Sequence, residues 1–298
     1  MKHPILHGVL PVISTPFTAD DRIDEAILQR EIDWLYEQGV QGLVIGMVSE
    51  VTRLTDTERD RLAGLLVRGS RGRGPVVASV GAESVAQAVR HARAAEAAGV
   101  DAHMAVPPAL TRCAPEEIRR YYSALIESTS RPVIIQDASG YIGNAIPLSL
   151  QASLYRDYPE RVLFKPEAQP IGPNLSALRD LTHNEAAIFE GTGGIALVDS
   201  FRRGLAGTMP GSDLAWAVVA LWKALQAGQW ERLARIQGPL TAILAPMSNL
   251  DAFIATEKML LKEQGIFVNT GMRGPVGYVL DPETRREILR QVALLQKL

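Results

Sequence analysis

Short apolar runs rich in valine, isoleucine, leucine and alanine alternate along most of the chain with longer stretches whose apolar residues recur at helical spacing. This alternation predicts repeated strand–helix units and a mainly parallel sheet. The predicted strands are residues 8–12, 42–46, 76–80, 102–106, 132–136, 162–166, 186–190 and 206–210.

The stretches between these strands carry helix start and stop signals. Residues 24–39 begin with acidic residues and end at a glycine, residues 84–99 also end at a glycine, and Pro115 opens the next helical stretch. Eight strands that are each followed by a helix would close into a (β/α)8 barrel, which typically takes about 250 residues. We therefore predict an α/β fold with such a barrel over residues 1–225.

Helical stretches continue after the eighth predicted unit, near residues 229–245, 249–264 and 283–297. We interpret residues 226–298 as a C-terminal helical extension that packs on the barrel. The rival fold is a doubly wound open sheet with a helical second domain, favoured by "EGTGGIA", which matches G-x-G-x-x-A after a strand. That fingerprint normally opens the first unit and is followed about 20 residues later by an acidic residue on a strand. Here Asp213 lies in a predicted loop.

Composition narrows the function classes. The chain is 47% hydrophobic and 21% charged, with a net charge of −2, which gives no reason to expect a nucleic acid or an anionic membrane as partner. Cys113 is the only cysteine, so no disulfide framework is expected. No apolar stretch approaches the roughly 18 residues that a membrane helix needs, and prolines interrupt the first 17 residues. We expect a cytoplasmic protein.

Metal and nucleotide chemistry find little support in the motifs. Among the histidines at positions 3, 7, 91, 103 and 183 only His3 and His7 have a paired-ligand spacing, and they lie in a proline-interrupted stretch rather than on a predicted helix, so no metal site is predicted. A dispersed site of carboxylates stays open. The nucleophile-elbow motif G-x-S-x-G and the phosphate-binding motif G-x-x-x-x-G-K-[ST] are both missing from the sequence.

Lys165 is the most unusual residue at a predicted strand end, because it closes the apolar run "VLFKPE" two positions before Glu167. Side chains alternate along a strand, so an amine and a carboxylate are expected on one face. Loss of hydration inside a barrel favours the neutral, nucleophilic amine that forms a Schiff base. The alternative is a lysine that reaches solvent and pairs with the glutamate.

Other predicted strand ends offer groups that could hold a substrate. Barrel active sites form at the carboxyl ends of the strands. In the loop "GMVSE" the Ser49 hydroxyl and nearby backbone N–H groups could bind a carboxylate, although a serine that caps a turn is equally compatible. An aspartate at a strand end, such as Asp137, often forms a turn. Many barrels bind phosphate in the loops after strands seven and eight, so a phosphorylated substrate stays an open alternative. The remaining candidate substrate-binding residues are Met47, Val48, Asp137, Gly191, Thr192 and Met209, and Gln136 is a catalytic candidate with Lys165 and Glu167.

These motifs together resemble the dihydrodipicolinate synthase and N-acetylneuraminate lyase superfamily over nearly the whole chain. The resemblance rests on "GVLPVISTPF", the "GMVSE" loop followed by "LTDTER", the lysine in "VLFKPE", and "GLAGTMPG". It implies a (β/α)8 barrel with C-terminal helices, Lys165 as the imine-forming residue, no metal or organic cofactor, and a homotetramer built as a dimer of dimers.

The chain departs from the synthase pattern at positions where that family usually has threonine, tyrosine or arginine. The residues there are Met47 and Val48 in place of two threonines, Gln136 in place of the strand-five tyrosine, Ala109 or Leu110 in place of an adjacent subunit's tyrosine, and Tyr141 near the carboxylate-binding arginine. These departures argue against dihydrodipicolinate synthase itself. The motifs "QDA", "FKPE" and "GTMPG" look more like the 2-keto-3-deoxy-L-arabonate dehydratase branch.

The resemblance implies that Lys165 attacks the ketone of a 2-keto acid, while Glu167 transfers a proton and Gln136 binds a substrate oxygen. Loss of water from a 2-keto-3-deoxy sugar acid is the leading prediction. Two alternatives stay open: a pyruvate-dependent aldolase that uses the same imine, and a barrel that binds a 2-keto acid without turning it over.

Overall fold

The structure is a computed structural model that describes residues 6–297. Residues 1–5, including His3, and residue 298 lie outside the described part. The strands are β1 Gly8–Val9, β2 Leu43–Ile45, β3 Val76–Ser79, β4 Ala102–Ala105, β5 Val133–Asp137, β6 Val162–Pro166, β7 Phe189–Glu190 and β8 Gly207–Thr208.

Helices follow the strands in alternation and then continue alone. Their bounds are α1 Glu25–Glu37, α2 Asp56–Ser70, α3 Val85–Ala98, α4 Pro115–Glu127, α5 Leu148–Asp157, α6 Ile171–Leu181, α7 Leu197–Phe201, α8 Ala215–Gln226, α9 Trp230–Leu244, α10 Leu250–Glu263 and α11 Pro282–Leu295. Several predicted start signals act as N-caps: the Asp24 and Ser84 side chains accept hydrogen bonds from the amides three residues on.

The strands close into a barrel in chain order. Strands β2 to β6 form one parallel sheet, and β1, β8 and β7 form another. Parallel bridges between Val12 and Val44 and between Phe164 and Ile188 join the two at both edges. Pairing of the first strand with the eighth confirms the predicted (β/α)8 barrel and rules out the open doubly wound sheet, in which the first strand has no such partner.

One face of each strand fills the barrel. Leu10, Val44, Val77, Met104 and Ile134 belong to a buried cluster inside it, against which Leu163 packs. Because side chains alternate, the residues two positions after Ile134 and Leu163 face the same interior, one layer nearer the carboxyl ends. These residues are Gln136 and Lys165.

Helices α9, α10 and α11 lie close to the predicted helical stretches of the extension. Helix α9 packs against α8 and α11, and α10 packs against the Met47–Ser49 turn at the carboxyl end of β2. The division of the chain at residue 225 stays a prediction. Within residues 6–297 no helix combines the length and apolar character that crossing a bilayer requires.

Candidate active site

Lys165 ends its strand in a buried position beside a carboxylate. Its residue is 4% exposed, and its Nζ lies 3.4 Å from Oε1 of Glu167. The neighbouring strand brings Gln136 alongside, because Gln136 and Lys165 are direct partners in the β5–β6 register. The structure thus brings together the three residues predicted to carry the chemistry.

The Glu167 carboxyl group is the centre of a small hydrogen-bond network. Its Oε2 accepts a hydrogen bond from Gln136 Nε2 at 2.5 Å and another from the Tyr141 hydroxyl at 3.3 Å. Burial raises the pKa of Glu167, while Lys165 and the Gln136 bond oppose that rise. The raised pKa makes this carboxyl a better proton acceptor than an exposed glutamate.

Gly191 lies against both reactive side chains. A Cβ atom at this position would be 2.4 Å from Lys165 Cε and 2.6 Å from Glu167 Oε1. Any other residue would therefore displace the amine or the carboxyl group. The predicted strand-end glycine therefore contributes space for the reactive pair, and its substrate-binding role stays a prediction.

A cleft that is open to solvent at its mouth and has a cavity volume of about 130 Å³ contains this cluster. Most of the predicted site residues line it: Met47, Val48, Gln136, Lys165, Glu167, Gly191 and Met209. The wall also includes Tyr141, Asp213, Ser248, Asn249 and Glu257.

Ser49 lies behind this wall. Its hydroxyl donates to the Ile13 carbonyl at 2.6 Å and accepts from the Gly46 amide at 3.1 Å, and the residue is fully buried. The side chain therefore fixes the Met47–Ser49 turn to Ile13, in the segment that follows β1. This is the behaviour expected of a serine that caps a turn. A 3₁₀ turn leaves its first amide N–H groups without acceptors in the turn, so the turn presents backbone rather than a hydroxyl.

Asp137 and Thr192 are also used within the fold. The Asp137 carboxylate accepts from the amides of Ser139 and Ile146, both at 3.1 Å, and so shapes the loop after β5. The Thr192 hydroxyl bonds to Glu190 and accepts from the Ala196 amide at 2.9 Å. Neither residue is among the described residues that line the cleft. The substrate-binding role of these two side chains stays a prediction, and the structure shows that both also hold the local backbone.

Sequence reasoning missed three polar cleft residues. Tyr141 was noted only as the counterpart of an arginine, and Asp213 only as a loop residue. Glu257 carried a usable signal, because it is an acidic residue on the apolar face of α10, which buries Ile254, Leu260 and Leu261. A carboxylate on such a face is unusual unless it serves a site.

Comparisons with known proteins show which family this chain resembles. The model of the dihydrodipicolinate synthetase family matches residues 5–293. The chain is 27% identical to the L-2-keto-3-deoxyarabonate dehydratase of Azospirillum brasilense, over 96% of this chain and 93% of that protein. It is 31% identical to the 4-hydroxy-tetrahydrodipicolinate synthase of Rhizobium meliloti, in a match over 52% of this chain and 53% of that protein.

A solved structure supports the fold. The dihydrodipicolinate synthase of Rhodopseudomonas palustris superposes with a TM-score of 0.89 at 24% identity, covering 97% of each chain. The family match spans the barrel, the lysine at the end of its sixth strand and the helices beyond, so this chain belongs to the dihydrodipicolinate synthetase family.

Proposed function

We propose that this protein is a class I lyase that forms an imine between Lys165 and a 2-keto acid and then removes water from a 2-keto-3-deoxy sugar acid. The observation that carries the proposal is the buried Lys165 amine 3.4 Å from the Glu167 carboxyl group, inside a cleft at the carboxyl ends of the barrel strands. A structural ion pair has no need of a cleft.

The first step is attack of the amine on the ketone carbon. The nitrogen must be neutral to attack, and Glu167, whose pKa is raised by burial, is placed to take up the proton that the amine gives up. Addition gives a carbinolamine, and loss of its hydroxyl as water gives the protonated imine.

The second step uses the imine as an electron sink. A base removes a proton from C3, and the electron pair moves toward the imine nitrogen to give an enamine. The enamine then expels the C4 hydroxyl, which leaves as water when an acid protonates it. Glu167 is the candidate for these transfers, and such a group can contribute about 10²- to 10⁴-fold.

The other cleft residues orient the substrate in this scheme. Met47 and Val48 of the Met47–Ser49 turn line the cleft, and the free amides of this turn would bind the C1 carboxylate. Gln136 Nε2 donates a hydrogen bond to the Glu167 carboxyl group. In the proposed complex the same amide would also hydrogen-bond a substrate oxygen. The Tyr141 hydroxyl donates a hydrogen bond to the same Glu167 carboxyl group and would pass protons to it.

The dehydratase branch is favoured over the synthase branch by the charges of the cleft. Among the described residues that line it, Lys165 is the only cation, so nothing is placed to hold the carboxylate of a second substrate. The similarity to the Azospirillum brasilense dehydratase over 96% of the chain supports the same branch.

Product analysis separates the proposal from its nearest competitor. A 2-keto-3-deoxypentonate incubated with the enzyme should lose one water and keep its carbon chain, which mass spectrometry and NMR detect. Pyruvate plus an aldehyde would instead show retro-aldol cleavage, and binding without product would show a binding protein. Lys165→Ala is the matched inactive control.

We also propose that the working molecule is a homotetramer arranged as a dimer of dimers, as family membership suggests. Light scattering should then give four times the 32.4 kDa mass of the chain. A monomeric mass would contradict this assembly.

A further inference from the structure

The cleft continues beyond the imine-forming lysine, between the end of β8 and the C-terminal helices. We name this part the distal pocket and define it by Gly211, Asp213, Ser248, Asn249, Phe253 and Glu257, all of which line the cleft. Its residues come from the loop after β8, from the two positions directly before α10 and from α10 itself. A substrate anchored at Lys165 would extend its tail into it.

Two carboxyl groups converge in the distal pocket. The Cβ position of residue 211 lies 2.4 Å from Glu257 Oε1 and 2.9 Å from Asp213 Oδ1, so both oxygens approach a single point on the backbone. Only glycine at position 211 leaves them room. Both acidic residues are about 3% exposed.

Within residues 6–297 neither carboxyl group forms an ion pair with a cationic side chain. Lys258 follows Glu257 in the chain, but its amine donates to the Glu50 carboxylate and to the Gly271 carbonyl at 2.6 Å. Glu257 Oε2 accepts a hydrogen bond from the Ser14 hydroxyl at 3.3 Å. The distal pocket is therefore acidic without a basic counterpart among its own residues.

Asp213 supplies an independent sign that a ligand group belongs here. Its Oδ2 is buried and has no hydrogen-bond partner within the described part of the chain. Buried polar atoms are nearly always paired, so an unpaired oxygen in a cleft wall suits a donor that arrives with the substrate.

The protonation state of Asp213 and Glu257 determines which chemical groups of a ligand they can bind. Burial raises the pKa of Asp213 to about 7 and that of Glu257 well above its ordinary value, so near neutral pH the pair retains a proton. A protonated carboxyl both donates and accepts, and a carboxylate only accepts. Alcohol hydroxyl groups, which also do both, match such a pair.

We propose that Asp213 and Glu257 form the subsite that binds the hydroxyl groups of the substrate tail and that excludes 2-keto acids whose tail ends in a second carboxylate. This inference rests on the proposed imine chemistry and adds the class of tail that the enzyme accepts. A second carboxylate would be buried beside two acidic groups with no cation to pair it, which disfavours binding strongly. Pyruvate has no tail and is indifferent to the subsite.

Borohydride trapping at graded keto-acid concentrations tests the subsite. The half-saturating concentration is measured for pyruvate, a 2-keto-3-deoxypentonate and 2-oxoglutarate. Wild type should favour the pentonate over 2-oxoglutarate by at least about tenfold, a difference of about 1.4 kcal/mol. Glu257→Met should raise the pentonate value by about tenfold and leave the pyruvate value unchanged.

Conservative variants separate hydrogen bonding from charge and guard against misfolding. Glu257→Gln and Asp213→Asn keep polar groups, so they should retain most of the pentonate affinity while accepting 2-oxoglutarate better than wild type does. Glu263→Gln, on the same helix but exposed and paired with Arg285, should change none of the three values.

The pyruvate adduct distinguishes failure of the subsite from failure of the imine chemistry. If wild type traps pyruvate but the variants shift all three keto acids equally, or shift none, the subsite is overturned and the proposed lyase chemistry stands. If wild type traps no keto acid, both are overturned.

Discussion

Glu167 accepts a hydrogen bond from Gln136 and lies 3.4 Å from the amine of Lys165, so it can act on every proton transfer after the imine forms. Glu167→Gln keeps the shape but cannot carry a proton. We expect turnover to fall by about 10²- to 10⁴-fold, while borohydride still traps the imine at Lys165 but more slowly, since Glu167 also takes up the proton that the amine loses. Steady-state kinetics beside intact-mass spectra measure both effects.

The control for that substitution is Glu160→Gln, an exposed glutamate just before the same strand, which should leave turnover unchanged. Full turnover in Glu167→Gln would assign the proton transfers to another group.

Gly191 tests how tightly the reactive pair is packed. In Gly191→Ala the new methyl group would overlap Lys165 Cε and Glu167 Oε1, so we expect the trapped adduct to be lost. Gly238→Ala in α9 has no atom within 4 Å of the new Cβ and should behave as wild type. Normal trapping by Gly191→Ala would show that the pair has room to move.

At the residue scale, the strand period was sufficient to predict that Lys165, Glu167 and Gln136 face one site. The strand period could not decide whether Ser49, Asp137 and Thr192 bind a substrate or the backbone, since a strand-end hydroxyl or carboxylate can turn inward to the backbone as easily as toward a ligand. Which happens depends on how the following loop folds, as with the Ile146 amide that donates to Asp137, or on a distant segment, as with the Ile13 carbonyl that accepts from Ser49.

Among the elements, α10 holds the Met47–Ser49 turn in place through a buried ion pair. Glu50, directly after the turn, has a φ of 60° in the left-handed region, and its carboxylate is bound by the Lys258 amine and by the Arg273 amide at 2.7 Å. Both members of the ion pair are at most 1% exposed.

Lys258→Met should therefore destabilise the protein and loosen the turn. Removing one partner leaves an uncompensated buried charge, which costs about 3–5 kcal/mol. We expect a lower melting temperature by calorimetry and a higher half-saturating concentration for pyruvate. Adding Glu50→Gln should recover part of the loss, and a double variant as unstable as the sum of both singles would contradict the pairing.

The existence and order of the strands were predictable from their apolar runs, but the lengths of β1 and β8 were not. Each was predicted to be five residues long, but only two residues of each form the hydrogen-bonded strand. Pro11 and Pro210 fall within the predicted runs and lack the N–H that a continuous ladder needs.

For the whole molecule, the buried carboxylates make stability depend on pH. Glu31 is fully buried, its Oε2 has no hydrogen-bond partner in the described chain, and burial raises its pKa from 4.5 to about 8. Because the folded state holds this proton more tightly, the resulting stability is complete below pH 4.5 and is lost as the pH rises through about 8.

Glu31→Gln should weaken that dependence. Each unit of pKa difference corresponds to about 1.4 kcal/mol. Between about pH 5 and about pH 8.5 the free energy of unfolding of the variant should therefore rise by a few kcal/mol relative to that of wild type. Melting temperatures of both proteins across this range measure the difference. A constant difference would show that Glu31 does not titrate in this range.

Barrel closure followed from counting strand–helix units, because eight such units have one compact closed arrangement. The position of α10 over the cleft did not follow, since it depends on packing between segments far apart in the chain. The distal pocket, with Glu257 on that helix, could therefore be seen only in the folded structure.

The most direct test of the account is the mass of the intact protein after incubation with pyruvate or a 2-keto-3-deoxypentonate and sodium borohydride, with wild type beside Lys165→Ala. The account predicts a covalent adduct in wild type, mapped to Lys165 by peptide mass spectrometry, and no adduct in the variant. An equal adduct in Lys165→Ala, or none in wild type with either keto acid, would contradict it.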